Sequence, residues 1–404
     1  MRIALAATAV AALIATGCSD SSEPQATSER EQTTVAQPAP PPPAKPARIP
    51  TGTVRVTPLR AHPPTERLPT FRAIRIASAN YPAGLAAAPD GRILYSELWG
   101  GKIRVIRRDG TLDPTPWADV NAKYRIRWTR FYHGGLSGIA FDPDFARNRF
   151  VYVVTQVPHK RTGLPSRSLI LRYKEVSGRG TAPRVLFTIP ASIFDNTYSV
   201  VFGPDGMLYV PSGFLGSSRP KGESVLDGLR GKILRVTRDG KAPGDNPYGR
   251  KAPRAWATGF KNAFDLAFFP DSRNAVAGES GPAAHDEINL VQPGNHYGYP
   301  EHQGAARARG VTPPLYDYGD DRTSPVGIVY YSGRRHPALR GRFLMCENHG
   351  RGMYALRIDP SRPGRLLAMT PIVPECTLDV IQMPDGSVVF SDSGAIYRLD
   401  GASR

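Results

Sequence analysis

Apolar residues in this chain fall in short runs that alternate with polar ones, and the runs are cut again and again by a Pro-Asp-Gly punctuation. Gly84-Leu-Ala-Ala-Ala-Pro-Asp-Gly-Arg-Ile-Leu-Tyr-Ser recurs as Gly138-Ile-Ala-Phe-Asp-Pro-Asp-Phe and as Val200-Val-Phe-Gly-Pro-Asp-Gly-Met-Leu-Tyr-Val. Further copies stand at Leu266-Ala-Phe-Phe-Pro-Asp-Ser and Val380-Ile-Gln-Met-Pro-Asp-Gly-Ser-Val-Val-Phe. Proline sets φ for a turn, and Asp and Gly complete it. Each copy therefore predicts a strand, a tight turn and a second strand. A third strand follows in segments such as Lys102-Ile-Arg-Val-Ile, Lys232-Ile-Leu-Arg-Val and Ala395-Ile-Tyr-Arg-Leu. No apolar period near 3.6 residues is sustained, which excludes a helical repeat.

The spacing gives the number of units. Pro-Asp begins at positions 89, 143, 204, 270 and 384, so the gaps are 54, 61, 66 and 114 residues. The last gap is twice 57, and Gly327-Ile-Val-Tyr-Tyr-Ser-Gly fits the missing copy between 325 and 358. Repeats of this length made only of strands predict an all-β fold, a six-bladed β-propeller over residues 70–404. Arg72-Ala-Ile-Arg-Ile is the expected strand that completes the last blade and closes the ring.

The N-terminus adds an address. Arg2 precedes an apolar run from Ile3 to Ile14 and then Gly17-Cys18. The run is too short for a stable membrane span and reads as an export signal over residues 1–17. The Gly-Cys junction resembles a bacterial lipobox, which makes Cys18 the lipidated first residue; a plain signal peptide is the alternative. Residues 18–69 are polar and then proline-rich, the composition of a disordered tether. These features predict a lipid-anchored, periplasm-facing protein, sorted to the outer membrane by the Ser19 that follows the Cys.

Net charge is +17, with 52 Lys and Arg against 35 Asp and Glu. No run of consecutive basic residues marks a nucleic-acid site, so no nucleic-acid partner is expected. Cys346 and Cys376 remain after Cys18, in neighbouring repeats, and an oxidising compartment favours a disulfide between them, with buried thiols the alternative.

Several motifs carry a resemblance. Gly278-Glu-Ser-Gly-Pro-Ala-Ala-His-Asp-Glu-Ile-Asn-Leu runs on to Pro293-Gly-Asn-His-Tyr-Gly-Tyr-Pro. His133-Gly-Gly-Leu-Ser-Gly-Ile-Ala-Phe, Gly231-Lys-Ile-Leu-Arg, Asp245-Asn-Pro-Tyr and Thr258-Gly-Phe-Lys-Asn-Ala-Phe-Asp-Leu-Ala-Phe stand in the same order as their counterparts. Together they resemble the soluble quinoprotein glucose/sorbosone dehydrogenases over residues 70–400. The resemblance implies a propeller that oxidises a sugar or polyol with pyrroloquinoline quinone (PQQ) and Ca²⁺ in its mouth, passing electrons to an acceptor in the envelope. That chemistry needs a base for the hydroxyl proton, positive charge around a tricarboxylate and a hard cation at the quinone oxygens.

Residue by residue the match is uneven. The family pattern His-x-x-Gly-Arg-Leu-x-x-Gly-Pro-Asp-Gly aligns with Asp195-Asn-Thr-Tyr-Ser-Val-Val-Phe-Gly-Pro-Asp-Gly, so Asp195 replaces the base His. His133 takes the place of a sugar-facing Gln and is the other candidate base. The family's Gly-His-Arg-Asn-Pro-Gln-Gly-Leu-Ala-Phe puts Lys261 and Asn262 at its Arg-Asn, where the Arg lies over the quinone. Lys keeps that charge without the planar fork. An Arg pair before the final Asp-Val is replaced by Cys376 and Leu378, while His349 and Arg351 are expected to supply replacement polarity. Gly281 and Pro282 match the backbone carbonyls that hold Ca²⁺. Asp286 and Glu287 are expected to make structural hydrogen bonds.

Two further function classes stay open. A non-catalytic ligand-binding propeller is consistent with the lost His and Arg pair. A Ca²⁺-dependent lactonase propeller needs convergent side-chain carboxylates, for which the sequence offers scattered candidates.

Overall fold

The computed structural model describes residues 54–59, 61–126, 134–192, 194–214, 216, 224–270, 272–305, 308–349 and 352–401. The expected signal peptide, Cys18, the tether up to residue 53, His133 and Arg351 lie outside these residues.

Six four-stranded antiparallel sheets form, one per repeat. Their innermost strands are Pro82–Ala87, Leu136–Phe141, Val201–Phe202, Ala263–Phe268, Pro325–Tyr331 and Val380–Gln382, opening blades I to VI. The unit without Pro-Asp is blade V, as its spacing required. Blade VI is completed by the N-terminal strand Phe71–Ser78, which pairs with Ala395–Gly401 from Phe71↔Gly401 to Ser78↔Ala395. That pairing closes the six-bladed ring.

The turn chemistry explains the repetition. Asp90 and Asp205 each accept the backbone N–H two residues on, at 3.2 and 3.1 Å. Gly91 and Gly206 follow with φ of +89° and +71°, a region a side chain disfavours. The alternating residues of each blade meet those of the next. Six buried apolar clusters result among the described residues, one per blade junction, from Leu94 with Val151 between blades I and II to Leu85 with Val389 between VI and I. Each blade is thus half of two cores, and an open ring would leave two half-cores in water.

Part of the segment expected to be a tether, residues 54–59 and 61–69, packs on the propeller instead. Val56 is buried with Val54 and Leu59 packed in the same cluster between blades IV and V, and Leu68 packs on the next, between blades V and VI. Thr57 N–H donates to the Gly364 carbonyl at 2.8 Å and Leu59 N–H to that of Leu315 at 3.0 Å. Glu66 binds Arg342 and Arg357, each at 2.6 Å. Residues 54–69 therefore form a strap along blades IV and V.

Candidate functional site

The connections from one blade to the next and the turns between second and third strands all emerge at one end of the ring. That end collects most of the residues expected to be functional. Asp195 lies on the connection from blade II to III, Lys261 and Asn262 on that from III to IV, and Cys376 and Leu378 on that from V to VI. Gly281 and Pro282 lie on a turn of blade IV, and His349 on the corresponding turn of blade V.

Lys261 Nζ is hydrogen-bonded to Asp195 Oδ1 in an ion pair. The Lys261 backbone N–H donates to Glu279, and the Tyr299 ring lies with its centroid 6.0 Å from Nζ. Asn262 accepts from Ser280 N–H through its carbonyl at 3.1 Å, and its side-chain Oδ1 is buried with no hydrogen-bond partner. Gly281 N–H donates to Asp286 at 2.8 Å, and Thr323 and Ser324 N–H both donate to the other Asp286 oxygen at 2.7 Å. Asp286 is thereby committed to shaping the turn. Gly281 permits that turn, since a Cβ there would stand 2.0 Å from the Ala284 carbonyl oxygen. Pro282 is exposed beside it. His349 N–H is bonded to Thr323 O at 3.1 Å.

Behind Lys261 stands an acidic pair that sequence reasoning passed over. Glu279 and Glu287 are register partners on adjacent strands, and the Asn289 amide donates to both, at 2.9 and 3.0 Å. Burial first, and the neighbouring Glu287 second, push the Glu279 carboxyl well above its usual range. Burial likewise pushes Glu287 up to about 7. Glu287 is structural as expected, since it also accepts the Gly304 N–H at 2.7 Å. The Glu-x-x-x-x-x-x-x-Glu spacing across a turn was the available signal.

Cys346, in the strand Arg342–Glu347, is bonded to Cys376, with Cα atoms 5.1 Å apart. Leu378 is buried. The positions of the expected Arg pair are thus filled by half a disulfide and an apolar side chain. Among the described residues no group of three or more His, Cys, Asp or Glu side chains is placed to hold a metal ion.

The sequence matches the family described as glucose/sorbosone dehydrogenase over residues 79–398. It is 30% identical to an uncharacterised protein of Synechocystis sp., over 82% of this chain and 87% of that one. It is 28% identical to quinoprotein glucose dehydrogenase B of Acinetobacter calcoaceticus over 57% of this chain and 52% of that one. Among solved structures, the PQQ-bound aldose sugar dehydrogenase of Streptomyces coelicolor aligns with a TM-score of 0.67 at 26% identity, covering 84% of this chain and 99% of that one. With its fold and four-fifths of its length accounted for, the chain belongs to the glucose/sorbosone dehydrogenase family.

Proposed function

We propose that the mouth oxidises a hydroxyl of a sugar or polyol with PQQ as hydride acceptor, in a lipid-anchored protein facing the periplasm. The observation that carries this is the contact between Lys261 and Asp195. The side chains standing at the family's quinone-facing cation and at its base converge on one point, although 66 residues separate them.

The donor set fits the quinone end of such a cofactor. Lys261 and Asn262 would border the ring, and Gly281 and Pro282 would offer carbonyls to a Ca²⁺. PQQ, when bound, supplies the two-electron acceptor. Lys261 supplies positive charge and orients Asp195, the group placed to take the hydroxyl proton. The Tyr299 ring flanks Lys261, and the exposed Phe194 immediately precedes Asp195. His133 is the second candidate for the proton, and His349 and Arg351 for the carboxylate end.

That carboxylate end supports a second reading, a non-catalytic ligand-binding propeller, because Cys376 and Leu378 bring no cation there. Calorimetry with PQQ and Ca²⁺ decides between them. Binding that Lys261→Ala weakens, with sugar-dependent dye reduction slowed by Asp195→Asn or His133→Ala, supports the dehydrogenase. Absence of PQQ binding rejects it. The anchor is tested separately: Cys18→Ala releases a soluble form or stalls processing, and an unchanged membrane-bound mature protein rejects lipidation.

A further inference from the structure

One repeat position lines the central channel on or just before each innermost strand: Gly84, Gly138, Ser199, Asp265, Gly327 and Asp379. Glycine is required where neighbouring blades touch through backbone. A Cβ on Gly84 would stand 1.9 Å from Ser137 O, and one on Gly327 would stand 2.5 Å from the Asp379 Cα. The polar members bridge blades instead. Ser199 donates its hydroxyl to Asp265, whose other oxygen accepts Ile328 N–H at 3.1 Å. Asp379 accepts Leu85 N–H at 2.7 Å and Val380 N–H at 2.7 Å.

These three polar residues line a cavity of about 960 Å³ that runs through the ring. Asp265 and Asp379 are each half-buried. The walls are otherwise largely aliphatic and aromatic, with Tyr81 against Trp99 at 4.5 Å and Tyr198 stacked on Phe264 at 4.6 Å. No Lys or Arg lines the cavity among the described residues; besides the two Asp, its titratable side chains are Tyr81, Tyr198, Tyr330 and His349. Ser137 also lines it, and its buried hydroxyl has no hydrogen-bond partner.

Two like charges in an apolar enclosure repel each other and lack solvation, a deficit that one cation removes. We propose that the channel binds an organic cation with an apolar body, an alkylammonium or alkylguanidinium, with its head between Asp265 and Asp379. The aliphatic walls take the body, and the aromatic pairs offer π faces to the passing charge. A bare metal ion leaves most of this volume unfilled. Burial raises Asp265 to about 6, and burial together with Asp265 raises Asp379 to about 8, so affinity climbs as both ionise.

The test is calorimetry on the full chain with butylammonium and butylguanidinium, using 1-butanol and CaCl₂ as controls, at about pH 6 and about pH 9. Both organic cations are expected to bind, more tightly at the higher pH, and butanol is not. Asp379→Asn and Asp265→Asn should each weaken binding roughly tenfold or more, the usual effect of losing a charged partner. Ser199→Arg should abolish it by supplying an internal guanidinium. Thermal midpoints identify any variant that fails to fold, and the remaining variants then carry the test. Equal binding of butanol, binding of Ca²⁺ alone, no binding of either organic cation, or undiminished affinity in folded Asn variants would each overturn the proposal.

Discussion

Lys261 and Asp195 form an ion pair whose side chains are only 12% and 9% exposed, joining the connection that enters blade III to the one that leaves it. Breaking such a pair from one side leaves a charge with neither solvent nor partner, at a typical cost of about 3–5 kcal/mol. Lys261→Ala and Asp195→Ala are each expected to lower the denaturant midpoint markedly. Replacing both by apolar residues of similar size should recover much of the loss. Single variants that unfold with the wild type would show the pair to be solvated in solution.

The pH dependence of stability follows from the buried carboxyls. Asp379 is raised by burial, then by Asp265, to about 8 in the folded chain, against about 4 for an ordinary carboxyl in the unfolded one. A raised carboxyl favours the folded state fully below the unfolded value, and that contribution is lost as pH climbs through the folded one. Glu287, raised by burial to about 7, acts in the same direction. Asp245, hydrogen-bonded to Arg235, is held below its ordinary value and costs stability only in acid. The unfolding midpoint should therefore fall between about pH 4 and 8, and Asp379→Asn should flatten the slope. A midpoint that rises across this range would contradict the assignment.

The ring was legible because its signal is local. Pro-Asp-Gly encodes a turn within three residues, and spacing alone located blade V without that motif. The strap was missed because the alternation Val54-Arg55-Val56 is too short to stand out beside a proline-rich tract. Lys261 and Asp195 were each singled out, yet their pairing depends on ring geometry that no local pattern carries. Asp265 and Asp379 were visible in principle. Aligning the repeats puts them in a column where Gly84, Gly138 and Gly327 stand, and a carboxyl among glycines is the anomaly to pursue.

The strap separates two truncations. Removing residues 1–53 keeps the strap whole, with the Val54 N–H still donating to Gln292 at 2.7 Å. Removing residues 1–69 takes away Val56 and the Glu66 pairs, and burying one valine is worth about 1.5–3 kcal/mol. Thermal midpoints of the two truncated chains check it, and equal midpoints would mean that the strap is detached in solution.

The disulfide gives the last prediction. Cys346 lies in blade V and Cys376 in the connection to blade VI, 30 residues apart. Closing a loop of this size constrains the unfolded chain and stabilises by about 2–4 kcal/mol. It also bolts together two segments of the mouth, since Glu347 follows Cys346, and Leu378 and Asp379 follow Cys376. In the unreduced, denatured protein a thiol reagent should find neither cysteine. Reduction, or Cys346→Ala with Cys376→Ala, should lower the unfolding midpoint. The same treatment should loosen the mouth more than the distant blade II, so hydrogen exchange should quicken at 374–379 while the strand Phe150–Pro158 stays protected. Two free thiols besides Cys18 would remove the disulfide, and exchange that quickens evenly round the ring would remove its local role.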